Sequence, residues 1–564
     1  MSSFEYIESR ADGVTHRGRA EQVPTRIFRN DWGALAPPRL GAWEPRLSVS
    51  VVIPARGPSP RLAVTLAALA GQTYPARLLE VVVVDDRTWP PLALPPLRPA
   101  RCRIERAPAT GSGAGHARAY GAHVTSGAVI CWLDPDMVVG PRFVEALVRW
   151  QHAHAECVSL GRVLHCPRGP EDPTALAGLA RSGGLSSALA GSRDHAGVNR
   201  LLEHSDDLRG ADRLGFQAYV GAAASLRRSL YEAAGGVDPA LDLGQDTEFA
   251  YRLWQAGGLF LPEHAAPAWH IGQATPARTR IPSSRFRTDV LAPLMPHPRP
   301  HRDRVRRHAP PTAGRPVPLV RAVVDVAGAR YETVSACVDR LLNGSEEDVG
   351  VTLVADWDGG VHGGAPEHPR LDLRLVQARY LADPRVSFSA VAPRTGFPAP
   401  YLLQVPVAWG LGRDTLARLV ARAERSRAGL VELFPESAPT RGAGIRLWRT
   451  RALTRALRVR TPGEPMADVV AEVHGRYRMH ADEASLEDLI APRSAHDGVG
   501  TPPPAGGRSD AGDHRAEESE GASAGECPGA APDRSAAPTA RRGRVLRRLL
   551  GALGPGRIPR RPRA

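Results

Sequence analysis

Two apolar runs dominate the first ninety residues: LSVSVVIPA at 47–55 and LLEVVVVDD at 78–86. Uninterrupted valine-rich stretches bounded by polar turns fit strands buried on both faces. Between them, RLAVTLAALAGQ (61–72) carries apolar residues at helical spacing. Strand, helix, strand in that order predicts a parallel αβ unit. The pattern continues with a helix over 116–126, a buried strand at 128–136 (AVICWLDPD) and a helix over 141–153. Short strand signals occupy 214–230, and QDTEFAYRLWQAG (245–257) predicts an amphipathic helix stopped by glycine. Residues 165–213 have weak periodicity and read as an insertion.

A second block over 317–480 echoes the first. LVRAVVDVAG (319–328), ETVSACVDRLL (332–342) and VTLVADWD (351–358) repeat the strand–helix–strand order of 47–86. RLWRTRALTRA (446–456) likewise echoes SLRRSLYEAAGG (225–236). The expectation is a degenerate second copy of one fold. Around the two blocks, 1–46 reads as an extended lead-in and 273–316 as an Arg- and Pro-rich loop or linker. Residues 481–540 form a linker rich in Pro, Gly, Ser and charge, expected to be disordered. The final segment, 541–564, contains a basic amphipathic stretch, with Val545, Leu546, Leu549, Leu550 and Leu553 on one face. Such a helix suits an anionic membrane surface.

Composition changes this picture in two places. At 564 residues the chain is long enough for more than one domain, and its formal charge is +14. The charge is not spread. Residues 541–564 hold nine Arg and no acid, and 271–308 hold nine Arg against two Asp, so the remainder carries about −2. That distribution argues against nucleic acid as a partner. Lysine is absent, which fits the codon bias of a GC-rich genome and weakens arguments from arginine alone. Six cysteines (Cys102, Cys131, Cys157, Cys166, Cys337, Cys527) form no CxxC pair and read as free thiols of a reducing compartment. The acidic first residues do not read as a secretory signal, and no apolar run reaches the length of a bilayer span.

The acids sit where chemistry needs them. Asp85 and Asp86 end one predicted strand, and Asp134 and Asp136 end another. In open parallel sheets, ligands bind beyond the carboxyl ends of the strands, so the two pairs should share a cleft. Clustered carboxylates with oxygen donors suit Mg²⁺ or Mn²⁺, and such ions commonly complete their shells with phosphate oxygens. A nucleoside diphosphate is the implied ligand.

The stretches VSVVIPA (49–55), EVVVVDD (80–86), HARAYGAHVTSGAVICWLDPDM (116–137), SLRRSLYEAAGGVDPAL (225–241), GQDTEFAYRLWQAGG (244–258) and LPEHAAPAWHIG (261–272) stand in one order. Together they resemble family 2-type glycosyltransferases of the GT-A fold, over about residues 47–272. The fold class implied is α/β: a Rossmann-like, mostly parallel sheet flanked by helices, a second smaller α/β domain, and a disordered C-terminal tail. The resemblance places Pro54, Ala55, Asp85, Asp86, Arg118 and Asp134 at the nucleotide. It places Asp134, Asp136 and His270 at the metal and makes Asp246 the general base of an inverting transfer. A nucleotide-sugar, of the UDP type, would be the donor, and a glycan or lipid-linked hydroxyl the acceptor. The implied location is cytoplasmic, with 541–564 on the inner face of the plasma membrane. Arg278, Arg280, Arg285 and Arg287 would form a flap over the diphosphate. The second block shows no equivalent acid set and is expected to be non-catalytic.

Departures from the family pattern are Ala55-Arg56-Gly57 in the first loop, Thr88 for a Ser, Ala119 for an Asn, and Gln245 for a Glu. Plainer readings also exist for each residue. Asp85, Asp86 and Asp134-Pro-Asp136 could belong to turns, and Asp246 could cap a helix. His270 could be a structural histidine and Glu248–Arg252 a surface pair, with Trp254 and Trp269 as core. The competing functions are a catalytically inactive glycan- or nucleotide-binding scaffold of the same fold, and a nucleotidyltransferase.

Overall fold

In the computed structural model, residues 25–57, 61–272, 290–297, 316–357, 370–434, 444–480 and 483–490 are described, and the account below is confined to them. The basic tail, the 491–540 linker and the four arginines of the expected flap lie outside the described residues. Both apolar blocks fall inside one compact unit, Met1–Pro492.

The first block opens with β1 (Val49–Ala55), α1 (Leu62–Ala70), β2 (Leu79–Asp85) and β3 (Cys102–Arg106). Every residue of β1 and β2 is buried, as their continuous apolar runs require. Next come α2 (Gly113–His123), β4 (Val129–Leu133), β5 (Met137–Val139), α3 (Phe143–Ala153) and β6 (Cys157–Cys166). The weakly periodic insertion is itself ordered: α4 (Pro173–Ser182), α5 (Leu185–Ala188), β7 (Arg193–Asp194) and α6 (Ala196–His204). The block closes with β8 (Ala223–Arg227), α7 (Arg228–Ala233), α8 (Gln245–Gln255) and β9 (Leu259–Ile271). The sheet runs β3-β2-β1-β4-β8-β6-β9-β5, with β7 beside β6. One core lies between the sheet and α1 and α3, and a second lies under α2 and α8.

The second block contains β10 (Val320–Asp325), α9 (Tyr331–Leu342), β11 (Val349–Val354), α10 (Leu371–Tyr380), β12 (Val386–Ser389), β13 (Tyr401–Gln404) and β14 (Trp409–Leu411). It continues through α11 (Thr415–Ser426), β15 (Leu430–Leu433), β16 (Ile445–Arg449), α12 (Thr450–Val459), α13 (Met466–His474), β17 (Arg476–Met479) and β18 (Leu486–Asp488). Its main sheet runs β12-β11-β10-β13-β16-β15-β17. This order reproduces β3-β2-β1-β4-β8-β6-β9 strand for strand. The first three pairings are parallel in both sheets. The next two are antiparallel and the last is parallel in both. The echo read in the sequence is therefore a repeat of topology. Among the described residues, the insertion α4 to α6 has no counterpart, and neither does α2. Where α2 joins β3 to β4, the link from β12 to β13 holds no helix.

Residues 25–46 differ from the extended lead-in expected of them. Ile27 and Asn30 are fully buried. The Asn30 amide donates to Leu208 O and Phe260 O, both at 2.8 Å, while its Oδ1 accepts from Arg451 Nη2 at 3.1 Å. Arg451 also donates to Trp254 O (3.0 Å) and Gly258 O (2.6 Å), and its guanidinium lies 3.7 Å from the Trp254 ring centroid. The neighbouring Arg455 donates to Ile27 O at 2.7 Å and pairs with Glu156 at 3.3 Å. Polar composition hid this segment because its contacts are made by its backbone carbonyls and one asparagine side chain to partners about two hundred to four hundred residues away. Trp254 and Trp269 are buried in the core, and Glu248 pairs with Arg252 at 2.5 Å.

Candidate functional site

Eight of the expected site residues converge on one cavity of about 330 Å³ beyond the carboxyl ends of β1 and β4. Its lining includes Pro54, Ala55, Asp86, Arg118, Asp134, Asp136 and Asp246, with His270 at one side. Each is delivered by a distinct element: β1 ends in Pro54-Ala55, α2 carries Arg118, Asp134 and Asp136 follow β4, Asp246 sits in the first turn of α8, and β9 carries His270. Asp85 stands apart. Its carboxylate accepts from Thr88 N at 2.8 Å and shapes the turn after β2. The Thr88 hydroxyl in turn accepts from Gly57 N at 3.1 Å, tying that turn to the first loop.

Asp86 is 4% exposed. Its Oδ2 accepts from Gly113 N at 2.8 Å, with Arg56 and Arg87 each 3.7 Å away. Its Oδ1 has no hydrogen-bond partner among the described residues. A buried carboxylate oxygen left open at a cavity wall is suited to a ligand hydroxyl or amine.

At the centre lies Arg118, 4% exposed. Nη1 donates to Asp246 Oδ1 at 2.6 Å, and Nη2 donates to Asp134 Oδ1 at 2.7 Å and to Gly221 O at 3.1 Å. Gly221 N donates to the other oxygen of Asp246 at 3.1 Å. Two carboxylates on separate elements are thus clamped by one guanidinium. Burial pushes the pKa of Asp134 above the ordinary carboxylate value, with Arg118 opposing the rise. The first turn of α8 adds the positive end of the helix dipole beside Asp246.

Asp136 Oδ2 meets His270 Nε2 at 2.9 Å, and this bond raises the pKa of His270 above the ordinary imidazole value. His270 Nδ1 is buried without a hydrogen-bond partner among the described residues. No group of three or more His, Cys, Asp or Glu among those residues is arranged to hold a metal by itself. The donor set is nonetheless suited to a hard divalent ion that takes the rest of its shell from a diphosphate. Asp136 and His270 offer one carboxylate and one imidazole, with Asp134 adjacent.

Two contributors escaped the sequence reading. Gly113, at φ 94°, opens α2 with its N–H on Asp86. Gly221 brings its backbone against Asp246, so close that a Cβ there would lie 2.5 Å from Oδ1. The glycine-rich GSGAG before α2 was a visible signal for the first. A single glycine before β8 gave none for the second.

Three comparisons with known proteins bear on this arrangement. Residues 50–230 match the family described as "Glycosyl transferase family 2". No curated protein matches the chain. Among solved structures, the chain is similar to GalNAc-T7 with UDP, GalNAc and Mn²⁺, at 18% identity and TM-score 0.29, covering 44% of this chain and 48% of that one. It is similar to the mannosyltransferase PcManGT from Pyrobaculum calidifontis in complex with GDP-Man and Mn²⁺, at 18% identity and TM-score 0.28, covering 49% and 68%. It is also similar to S. aureus TarS in complex with UDP-GlcNAc, at 13% identity and TM-score 0.29, covering 41% and 61%. The chain thus spans about half the length of the first of these. The family match and the β3-β2-β1-β4-β8-β6-β9-β5 sheet agree with the GT-A-like α/β fold expected from the sequence.

Proposed function

We propose that the family 2 glycosyltransferase domain borne by residues 50–230, completed by α8 and β9, transfers a sugar from a nucleotide-diphospho-sugar to an acceptor hydroxyl with inversion. The observation that carries this reading is the Arg118 clamp, which holds Asp246 and Asp134 in one cavity at 2.6 and 2.7 Å. Asp86, with its open Oδ1, accepts from the nucleoside. Asp136 and His270, beside Asp134, would hold Mn²⁺ or Mg²⁺. When bound, the cation neutralises charge on the departing diphosphate. Asp246 takes the acceptor's proton as its oxygen attacks the anomeric carbon, and Arg118 and Gly221 fix the direction of that carboxylate. The donor is of the UDP-sugar type, and the acceptor is a glycan or a lipid-linked hydroxyl.

The second sheet is proposed to be non-catalytic, because no helix stands where α2 delivers Arg118. Its Asp356 pairs with Arg370 at 2.8 Å. A catalytically silent nucleotide-binding scaffold is the second reading. It is favoured by the engagement of both Asp134 and Asp246 with Arg118. Donor hydrolysis with Mn²⁺ decides between them. Wild type should consume nucleotide-sugar, and Asp136→Ala and Asp246→Asn should lose that activity. Equal consumption by all three proteins rejects the site, and none by any of them favours the scaffold.

A further inference from the structure

We infer that the second sheet binds an anion, a carboxylate or phosphate carried on a hydroxylated body, at the place where the end of α2 and the link after it cover the first sheet. Strand pairing fixes the correspondence. Ser50 stands beside Glu80 in the first sheet and Arg321 beside Gly350 in the second, each pair one step into its strands. On the next strand out, Val82 stands beside Arg103 and Thr352 beside Ser387.

In the first sheet this row is closed by its own charges. Glu80 accepts from Ser50 Oγ at 2.6 Å, from Arg103 Nη1 at 3.0 Å and from Ser126 N at 3.2 Å. Arg103 also donates to Val124 O at 2.7 Å, in the link that follows α2. In the second sheet Gly350 stands where Glu80 would, and no helix covers the row. A cavity of about 620 Å³ takes the space, lined by Arg321, Gly350, Thr352, Ser387 and Ser389.

Arg321 is therefore a cation whose acid is absent from its register. Its hydrogen bond among the described residues is a long one, 3.5 Å from Nη1 to Phe397 O. Burial lowers its pKa, and no acid among the described residues opposes that. Glu347 and Asp348 line the cavity from the segment before β11, yet neither counters the effect of burial on Arg321. A partly buried guanidinium without a counter-ion is costly, and an anion arriving from solution removes that cost. Beside it, Thr352 Oγ1 and Ser387 Oγ lie 3.0 Å apart. Each hydroxyl has a further lone pair, so the row offers acceptors to ligand hydroxyls. Val391, 54% exposed in the lining, supplies an apolar edge for the C–H face of a ring. Sugar acids and sugar phosphates combine this charge, these hydroxyls and this C–H surface.

The test uses the full chain, with binding measured by calorimetry. Glucuronate and glucose 6-phosphate are the charged probes, and methyl β-D-glucopyranoside is the neutral one. At least one charged probe should bind about tenfold or more tightly than the neutral one, and the stronger of the two separates carboxylate from phosphate. Arg321→Gln should weaken that probe at least about tenfold. Gly350→Glu returns to this register the acid that Glu80 supplies in the first sheet, and should weaken the probe as much. It decides if Arg321→Gln does not fold. Neither variant should weaken UDP, which locates the lost binding outside the nucleotide cavity. The inference is overturned if neither charged probe binds, if charged and neutral probes bind equally, if a folded variant keeps full affinity for the charged probe, or if UDP affinity falls in parallel.

Discussion

Replacing Gly221 by Ala tests the placement of Asp246 without touching its chemistry. A Cβ at 221 would lie 2.5 Å from Oδ1, 2.7 Å from Cγ and 2.8 Å from Oδ2 of Asp246. Ordinary contact begins near 3.4 Å, so the carboxylate must withdraw by about 0.9 Å. Arg118 holds the same oxygen at 2.6 Å and also donates to Gly221 O, so the withdrawal is taken up by rotating the carboxylate or by driving Arg118 off Asp134. On the proposed reading, either movement takes the Asp246 carboxylate out of line with the acceptor hydroxyl. A misplacement near 1 Å costs about 100-fold in rate, or about 2.7 kcal/mol of activation free energy. The assay is kcat for donor consumption beside thermal melting. We expect kcat to fall about 100-fold while nucleotide binding at Asp86 persists. Gly178→Ala is the control. It lies inside α4 with no heavy atom within 4 Å of its would-be Cβ. It should leave kcat alone and add about 0.5–1 kcal/mol of stability. Full activity in Gly221→Ala, with the variant folded, would refute the view that the position of Asp246 sets the rate.

Gly121→Ala should destabilise by about 1–3 kcal/mol in urea titration, because its Cβ would lie 2.3 Å from Val52 Cγ1 and 2.9 Å from Val84 Cγ2. Arg451→Met strips the donor from Trp254 O, Gly258 O and Asn30 Oδ1, all buried. Asn30 Oδ1 and Trp254 O keep the bonds from Phe260 N and Gly257 N, so a loss of about 1–2 kcal/mol is expected by the same titration, and a neutral result would mean that the relieved burial of the guanidinium offsets the lost bonds. His270 holds its proton more firmly than an ordinary imidazole because of Asp136. The stability from that pair is therefore complete below about pH 6.5 and lost as pH rises through the elevated folded value. Mn²⁺ needs the neutral ring, so its affinity should climb over that same interval and do so less in His270→Gln; calorimetry across pH measures both.

Much of this site was legible because strand ends announce themselves. The valine runs of β1 and β2 and the apolar AVICWL of β4 place their following acids on one edge of a parallel sheet, wherever the helices fall. The QDTEF signature put Asp246 at a helix start for the same local reason. What escaped notice depends on distance along the chain. Asp85 and Asp86 are adjacent and chemically identical, yet one shapes a turn and the other faces the cavity, a division set by strand pleat and by Thr88. Gly221 matters only because β8 brings it beside α8. The role of 25–31 rests on carbonyl oxygens, which every residue possesses, and on one buried amide, Asn30, whose partners are 178 to 421 positions away. The repeat was readable in its first three elements. The extent of the match, seven strands in one order, required the pairing itself.

The arginines of α12 have a consequence for the timing of assembly. Asn30 bonds to Arg451 across 421 positions, and Ile27 to Arg455 across 428. At about 5–20 residues per second, some 20–80 s of synthesis separates the two ends of these bonds. During that interval the first sheet can form its local pairings, while Trp254 O and Gly258 O at the far end of the Asp246 helix await their guanidinium. The growing chain thus exposes an incomplete enzyme until its second sheet emerges. That second sheet, with the helix α12 that it carries, acts as the closing step in the birth of the first.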